Sequence, residues 1–89
     1  MTLEATLKER GSRYGAFVDQ AVIAQALKAA MANSANWATL PADMRETLDM
    51  VANKIGRILN GDPNYLDSWH DIIGYVALIE KRLAATQPT

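Results

Sequence analysis

Two aspartates one helical turn apart, Asp67 and Asp71, have a spacing that could serve chemistry. Carboxylates at positions i and i+4 can bind a hard cation such as Mg²⁺, which takes a few carboxylate oxygens and keeps several waters. Acidic residues in the first turn of a helix also complement the helix dipole without any metal, and Asp67 can cap the helix start. The pair therefore predicts either a magnesium site or an acidic helix start.

A basic pair, Lys54 and Arg57, lies three residues apart on the helix predicted before these aspartates. If the two helices run antiparallel, this pair lies at the level of Asp71, with Tyr75 one turn further on. The pair then forms either a salt bridge across the hairpin or a phosphate site, in which arginine binds as a bidentate fork and lysine as a point charge.

A third cluster, residues 9–15, contains two glycines, two arginines and a tyrosine. It predicts a loop that could close over a ligand, with Tyr14 stacking on a base and Arg10 or Arg13 contacting phosphate, although it fits no phosphate-loop consensus. A plain linker between helices explains the same residues.

The single histidine, His70, is predicted to be a surface or interface residue, and no catalytic triad or zinc-ligand spacing occurs in the sequence.

Helices must position these groups, because apolar residues recur every three or four residues along most of the chain. The predicted helices cover about 2–10, 16–32, 41–60 and 66–85. The short link over 60–65 makes the last two an antiparallel hairpin with facing apolar stripes. The predicted fold class is therefore all-α, a helical hairpin plus one long and one short N-terminal helix, in a single domain over 1–89. Trp37 and Trp69 are predicted to anchor its packing.

Two glycines, Gly56 and Gly74, fall in the middle of the last two predicted helices, away from the apolar stripes. Glycine there costs about 1 kcal/mol relative to alanine. Close approach of another helix would compensate, which predicts a homo-oligomer, most simply a two-fold dimer. Tolerated surface glycine is the alternative.

Composition narrows the function classes. Nine basic and ten acidic residues leave a formal charge of −1, so no global field favours nucleic acid or an anionic membrane. The chain has no cysteine, which excludes disulfides and thiolate chemistry and suits the cytoplasm. We expect neither a membrane-spanning segment nor a signal peptide, because no apolar run is long enough.

Three segments taken together, residues 9–17, 54–57 and 67–75, resemble small uncharacterised phage and prophage proteins. Those proteins share a pattern close to R-x-x-x-Y-G, K-x-x-R and D-x-W-x-D-I-x-G-Y, and the resemblance covers most of residues 9–80. It implies a phage-derived protein but carries no activity with it.

A weaker resemblance is to the all-α nucleoside triphosphate pyrophosphohydrolases of the MazG type. These are helical oligomers that bind Mg²⁺ through E-x-x-E on one helix and E-x-x-D on the next. Glu46-x-x-Asp49 and Ser68-x-x-Asp71 occupy similar places here, with serine in place of one ligand carboxylate. The resemblance implies a nucleotide ligand and optional Mg²⁺, with weak or no hydrolysis.

The sequence thus predicts a helical oligomer that binds a nucleotide or phosphate. The predicted ligand-binding residues are Lys54, Arg57, Asp71, Tyr75, Tyr14 and Arg13, with Asp71 and Asp67 as candidate Mg²⁺ ligands. The competing prediction is a phage factor that binds a host protein through an exposed helix face and has no small-molecule ligand. Leu78, on the back of the last helix near Gly74, favours that alternative.

Overall fold

The structure is a computed structural model that describes residues 2–87. Its elements are α1 (Leu3–Tyr14), α2 (Phe17–Ala32), a single 3-10 turn (Trp37–Thr39), α3 (Ala42–Asn60) and α4 (Leu66–Thr86). No strand occurs in this part of the chain, so the all-α class is confirmed. Within the same residues, every helix is too short or too polar to cross a membrane.

The first helix is longer than the sequence predicts. Thr2 caps it, with its side chain accepting a hydrogen bond from the Ala5 N–H, and the helix runs through Gly11 and Ser12 to Tyr14. The predicted break at Gly11-Ser12 is therefore wrong, and residues 9–14 are not a loop. An ion pair between Glu9 and Arg13, one turn apart, spans the glycine and supports this stretch of helix.

Helix α1 ends at Gly15, which has a φ of 75°. This left-handed conformation favours glycine, because a Cβ would be strained there. The other predicted helix boundaries agree with the structure to within one residue. Pro41 is the residue that precedes α3 rather than its first helical residue.

Helix α3 lies at the centre of the fold and packs against both α2 and α4. Asp43 at the start of α3 pairs with Arg82 near the end of α4, and Lys54 in the second half of α3 pairs with Asp71 in the first half of α4. These two pairs require α3 and α4 to run in opposite directions. Helix α1 contacts both α2 and α3.

Gly56 faces α2. A Cβ at this position would lie 3.1 Å from the Gln20 carbonyl oxygen and 3.6 Å from the Ala24 Cβ. Its missing side chain therefore lets α2 approach α3 within one chain, so Gly56 gives no support to the predicted oligomer. Gly74 differs, since a Cβ there would have nothing within 4 Å.

The buried core is small for a chain of this length. Among residues 2–87 the buried apolar residues are Ala24, Ala52 and Ile58. Trp69 remains 49% exposed and its indole N–H donates to the Pro63 carbonyl oxygen at 2.8 Å. Trp69 therefore holds the turn before α4. It does not fill a core, which is the role that the sequence predicted for it.

Candidate functional site

Two turns far apart in the sequence meet to form a contact that we call the glycine corner, Gly15 with Gly61. The Asn60 side-chain amide donates to the carbonyl oxygens of Tyr14 and Ala16, both at 2.9 Å. The backbone N–H of Asp62 donates to the Arg13 carbonyl oxygen at 2.6 Å. These bonds fix the end of α1 against the end of α3.

The glycines are required by this close approach. A Cβ on Gly15 would overlap the backbone carbonyl of Asn60, and a Cβ on Gly61 would overlap the backbone of Arg13 and Tyr14. Backbone atoms cannot rotate away as a flexible side chain can. The corner is therefore open only to glycine at both positions.

Arginine and tyrosine side chains alternate above the corner. The Arg57 guanidinium lies over the Tyr14 ring, 4.7 Å from its centroid, and Arg13 lies 4.9 Å from the centroid of Tyr65. The two rings meet edge to face, with centroids 6.1 Å apart. The contact with the Tyr14 ring orients the Arg57 side chain, and Tyr65 with Arg13 packs against the other side of this arrangement.

The main cleft of the site has a volume of about 340 Å³ and opens between α1, α2 and α3. Its side chains include Leu7, Arg10, Tyr14, Phe17, Gln20 and Arg57, and we call it the arginine cleft. Arg57 also borders a neighbouring hollow with Lys28 and Asn53. The Arg57 Nε is shielded from solvent and has no hydrogen-bond partner among residues 2–87. A buried donor of this kind calls for an acceptor.

Lys54 and Asp71 form the ion pair that the sequence offered as one of two interpretations. The Lys54 Nζ lies 2.9 Å from the Asp71 carboxylate, and the lysine side chain is only 10% exposed. The hydrogen bond from Lys54 lowers the pKa of Asp71, and the charges of Lys54, His70 and Arg57 lower it further. Asp71 is thus held ionised beside a buried cation.

Acid should weaken the fold through Asp71 and Asp43. The pKa of Asp43 is lowered by its hydrogen bond from Arg82, so both carboxylates have folded pKa values below the unfolded value of about 3.9. Their contribution to stability is complete above that unfolded value and is lost as the pH falls through the lowered folded values. We expect the thermal midpoint to decrease when the pH is lowered below about 4.

A pH series of thermal unfolding checks this expectation. In Asp71→Asn the midpoint should be lower at neutral pH and should fall less in acid. Asp19→Asn, a change at an exposed aspartate of α2, is the control and should keep the wild-type acid response. An unchanged acid response in a double variant, Asp43→Asn with Asp71→Asn, would show that other groups control it.

The predicted site residues divide into two places. Tyr14 and Arg57 come together in the arginine cleft, where Arg10 joins them. Asp71 and Tyr75 instead border a shallow depression on α4, which we call the α4 hollow, lined by His70, Asp71, Gly74, Tyr75 and Leu78. Lys54 lies on α3 and connects that helix to the α4 hollow, since it pairs with Asp71.

Arg13 and Asp67 have other partners. Arg13 binds Glu9 and Tyr65 and does not line the arginine cleft. Tyr65 is the N-cap of α4, so Asp67 is not the cap; it lies in the first turn of the helix, as the alternative of an acidic helix start predicted. It accepts a hydrogen bond from the Tyr65 hydroxyl at 3.1 Å, and this bond raises the pKa of Tyr65.

The predicted Mg²⁺ site at Asp67 and Asp71 stays a prediction. Among residues 2–87, no cluster of three or more His, Asp, Glu or Cys side chains is placed to hold a metal ion. The nearest cation to the Asp71 carboxylate is Lys54.

Sequence reasoning missed Gln20, Phe17, Asn60, Gly61 and Tyr65 as parts of the site. The sequence places Asn60 only at the end of a predicted helix, Gly61 only in the short link that follows it, and Gly15 only in the predicted loop. Two glycines beside helix ends are the one signal that could have indicated a close contact.

Comparison of the chain with protein-family models, with curated proteins and with solved structures gave no match.

Proposed function

We propose that this protein binds a phosphate-bearing small molecule, most simply a nucleotide, in the arginine cleft. The observation that carries the proposal is the Arg57 guanidinium, which lines the cleft and is stacked on Tyr14; its shielded Nε has no hydrogen-bond partner among residues 2–87. Arg10 adds a second positive charge to the same cleft. Two guanidinium groups suit the planar, multiple hydrogen bonds that phosphate oxygens accept.

The rest of the cleft supports an organic ligand better than a bare ion. Its volume of about 340 Å³ falls within the range of small-molecule sites. Phe17 and Leu7 supply apolar wall, and Gln20 supplies an amide that can donate and accept. These groups suit a base or sugar beside the phosphate.

Descent from MazG-type enzymes and a phage origin remain part of the proposal, as does a cytoplasmic location. The pairing of Asp71 with Lys54 favours binding with weak or no pyrophosphohydrolase activity, because a carboxylate neutralised by lysine is a poorer magnesium ligand. Mg²⁺-dependent release of pyrophosphate that is lost in Asp71→Asn would instead indicate an active enzyme.

A thermal-shift screen of nucleoside mono-, di- and triphosphates, with and without Mg²⁺, tests the binding proposal. A true ligand at one hundred times its dissociation constant should stabilise the fold by about 2.7 kcal/mol. Arg57→Gln should abolish this shift and Arg10→Gln should reduce it. Arg45→Gln, at an exposed arginine on the same helix, is the matched control and should keep the full shift. No shift with any nucleotide, or equal shifts in all three variants, would contradict the proposal.

The competing function, a module that binds a host protein, has support at the α4 hollow. Leu78 borders it and is 65% exposed, and Ile73 on the same helix is 66% exposed. This function predicts no stabilisation by nucleotides and a defined partner whose binding is lost in Leu78→Glu.

A further inference from the structure

The chain exposes more surface than its mass requires. Its accessible surface is 6456 Å², whereas a compact monomer of 9.7 kDa should expose about 5,100 Å². Its radius of gyration is 15.5 Å, against about 12 Å for a compact domain of this length. The excess of about 1,300 Å² is surface that folding of one chain leaves uncovered.

Part of this surface is an apolar groove between α3 and α4. Its lining includes Leu40, Met44, Leu48, Val76, Ile79 and Leu83, and Thr47 is the one polar residue beside them. Leu48 and Val76 remain 39% and 46% exposed at its centre. Within the part of the chain that the structure describes, no charged side chain lines this groove.

The groove continues along α3 as a stripe at helical spacing. Val51, Ile55 and Leu59 follow Leu48 at intervals of three and four residues, which places them on one face. Ile55 and Arg57 are two residues apart, so they project about 200° from each other around the helix. The apolar stripe and the arginine cleft therefore lie on opposite sides of α3.

We propose that a second copy of this chain covers the apolar groove and stripe, giving a two-fold dimer. The excess surface of the whole chain leaves room for such an interface, since it amounts to about 1,300 Å² and obligate homodimers bury about 2,000–5,000 Å² in total from the two chains. This dimer uses the face opposite Arg57 and is independent of ligand binding.

A second copy fits better than a separate partner for two reasons. The small buried core gives each chain little stability alone, and a second copy is a stabilising partner that is present wherever the chain is made. The groove also has no charge to oppose an identical groove, and the nearby charges of Asp43, Arg82, Lys54 and Asp71 are already paired within the chain. A two-fold interface needs such a self-complementary surface.

Sedimentation equilibrium over a range of concentrations measures the association directly. The wild type should have a mass about twice the 9.7 kDa of one chain. Val76→Glu should reduce it to one chain mass or prevent folding, whereas Leu78→Glu, a matched change on the α4 hollow, should keep the dimer. A folded wild-type monomer at all concentrations overturns the proposal, as does a dimer lost in Leu78→Glu and kept in Val76→Glu.

The reactivity of a single introduced thiol tests the dimer if Val76→Glu fails to fold. Because the chain has no cysteine, Leu48→Cys and Val22→Cys each introduce a single thiol for maleimide. Val22 lies on α2 and is 65% exposed. In the dimer Leu48→Cys should react at least about tenfold more slowly than Val22→Cys, and dilution should remove most of the difference, leaving the smaller one expected from their exposures of 39% and 65% in one chain. Equal rates at every concentration, or a protected Val22→Cys, overturn the proposal.

Discussion

Gly61→Ala should lower the free energy of unfolding by about 2–3 kcal/mol, because the new methyl group would overlap backbone atoms of Arg13 and Tyr14. The overlap can be relieved only by separating the two turns of the glycine corner. That separation also breaks the hydrogen bond from the Asp62 N–H to the Arg13 carbonyl. For a chain of this size the thermal midpoint should fall by about 10–20 °C.

Gly74→Ala is the matched control for this prediction. Gly74 lies in the middle of α4, and a Cβ there would have nothing within 4 Å. Alanine should therefore raise the free energy of unfolding by about 1 kcal/mol. Chemical denaturation of both variants at one protein concentration gives the comparison. Similar effects of the two changes would show that the corner is not a close contact.

Asn60→Ala should cost about 2 kcal/mol, since it removes two side-chain hydrogen bonds to backbone carbonyls. The carbonyl oxygens of Tyr14 and Ala16 would then lose a donor at the point where α1 turns into α2. We also expect weaker nucleotide binding, because Tyr14 is the surface on which Arg57 is stacked.

Asn53→Ala makes the same chemical change two turns earlier on α3. Among residues 2–87 the Asn53 side chain makes one weak hydrogen bond, to the Met50 sulfur at 3.9 Å, so this variant should lose at most about 0.5 kcal/mol. Urea titrations with the slope held in common measure both effects. If Asn53→Ala proved as damaging as Asn60→Ala, the two bonds at the corner would not be the cause of the loss.

The helices were predictable because their signals are local. The apolar residues of α3 recur at helical spacing, and Gly61 marks the end of that helix, so its boundaries could be read within one residue. Gly11 misled the same reasoning, because glycine inside a helix costs only about 1 kcal/mol, and the Glu9–Arg13 pair spans it.

In the candidate site, the sequence predicted a contact only where a residue had one possible partner. Lys54 and Asp71 lie on helices joined by a short turn, so their level could be deduced from the hairpin. The glycine corner joins residues more than forty positions apart, as the bond from Asn60 to Tyr14 spans 46 residues. No periodicity within one segment encodes such a contact. The sequence therefore could not show that Arg10 lines the arginine cleft whereas Arg13 does not.

The weak attachment of α1 to the rest of the fold affects the dynamics of the arginine cleft, which α1 borders. Helix α1 has no buried residue of its own, and a helix of this length is marginal in isolation. Its amides should therefore exchange with solvent through a local opening, while α3 and α4 stay folded. A ligand in the cleft would bind only the closed form, so its apparent affinity includes the cost of closing α1. Slower exchange in α1 would then be the earliest sign that the cleft is occupied.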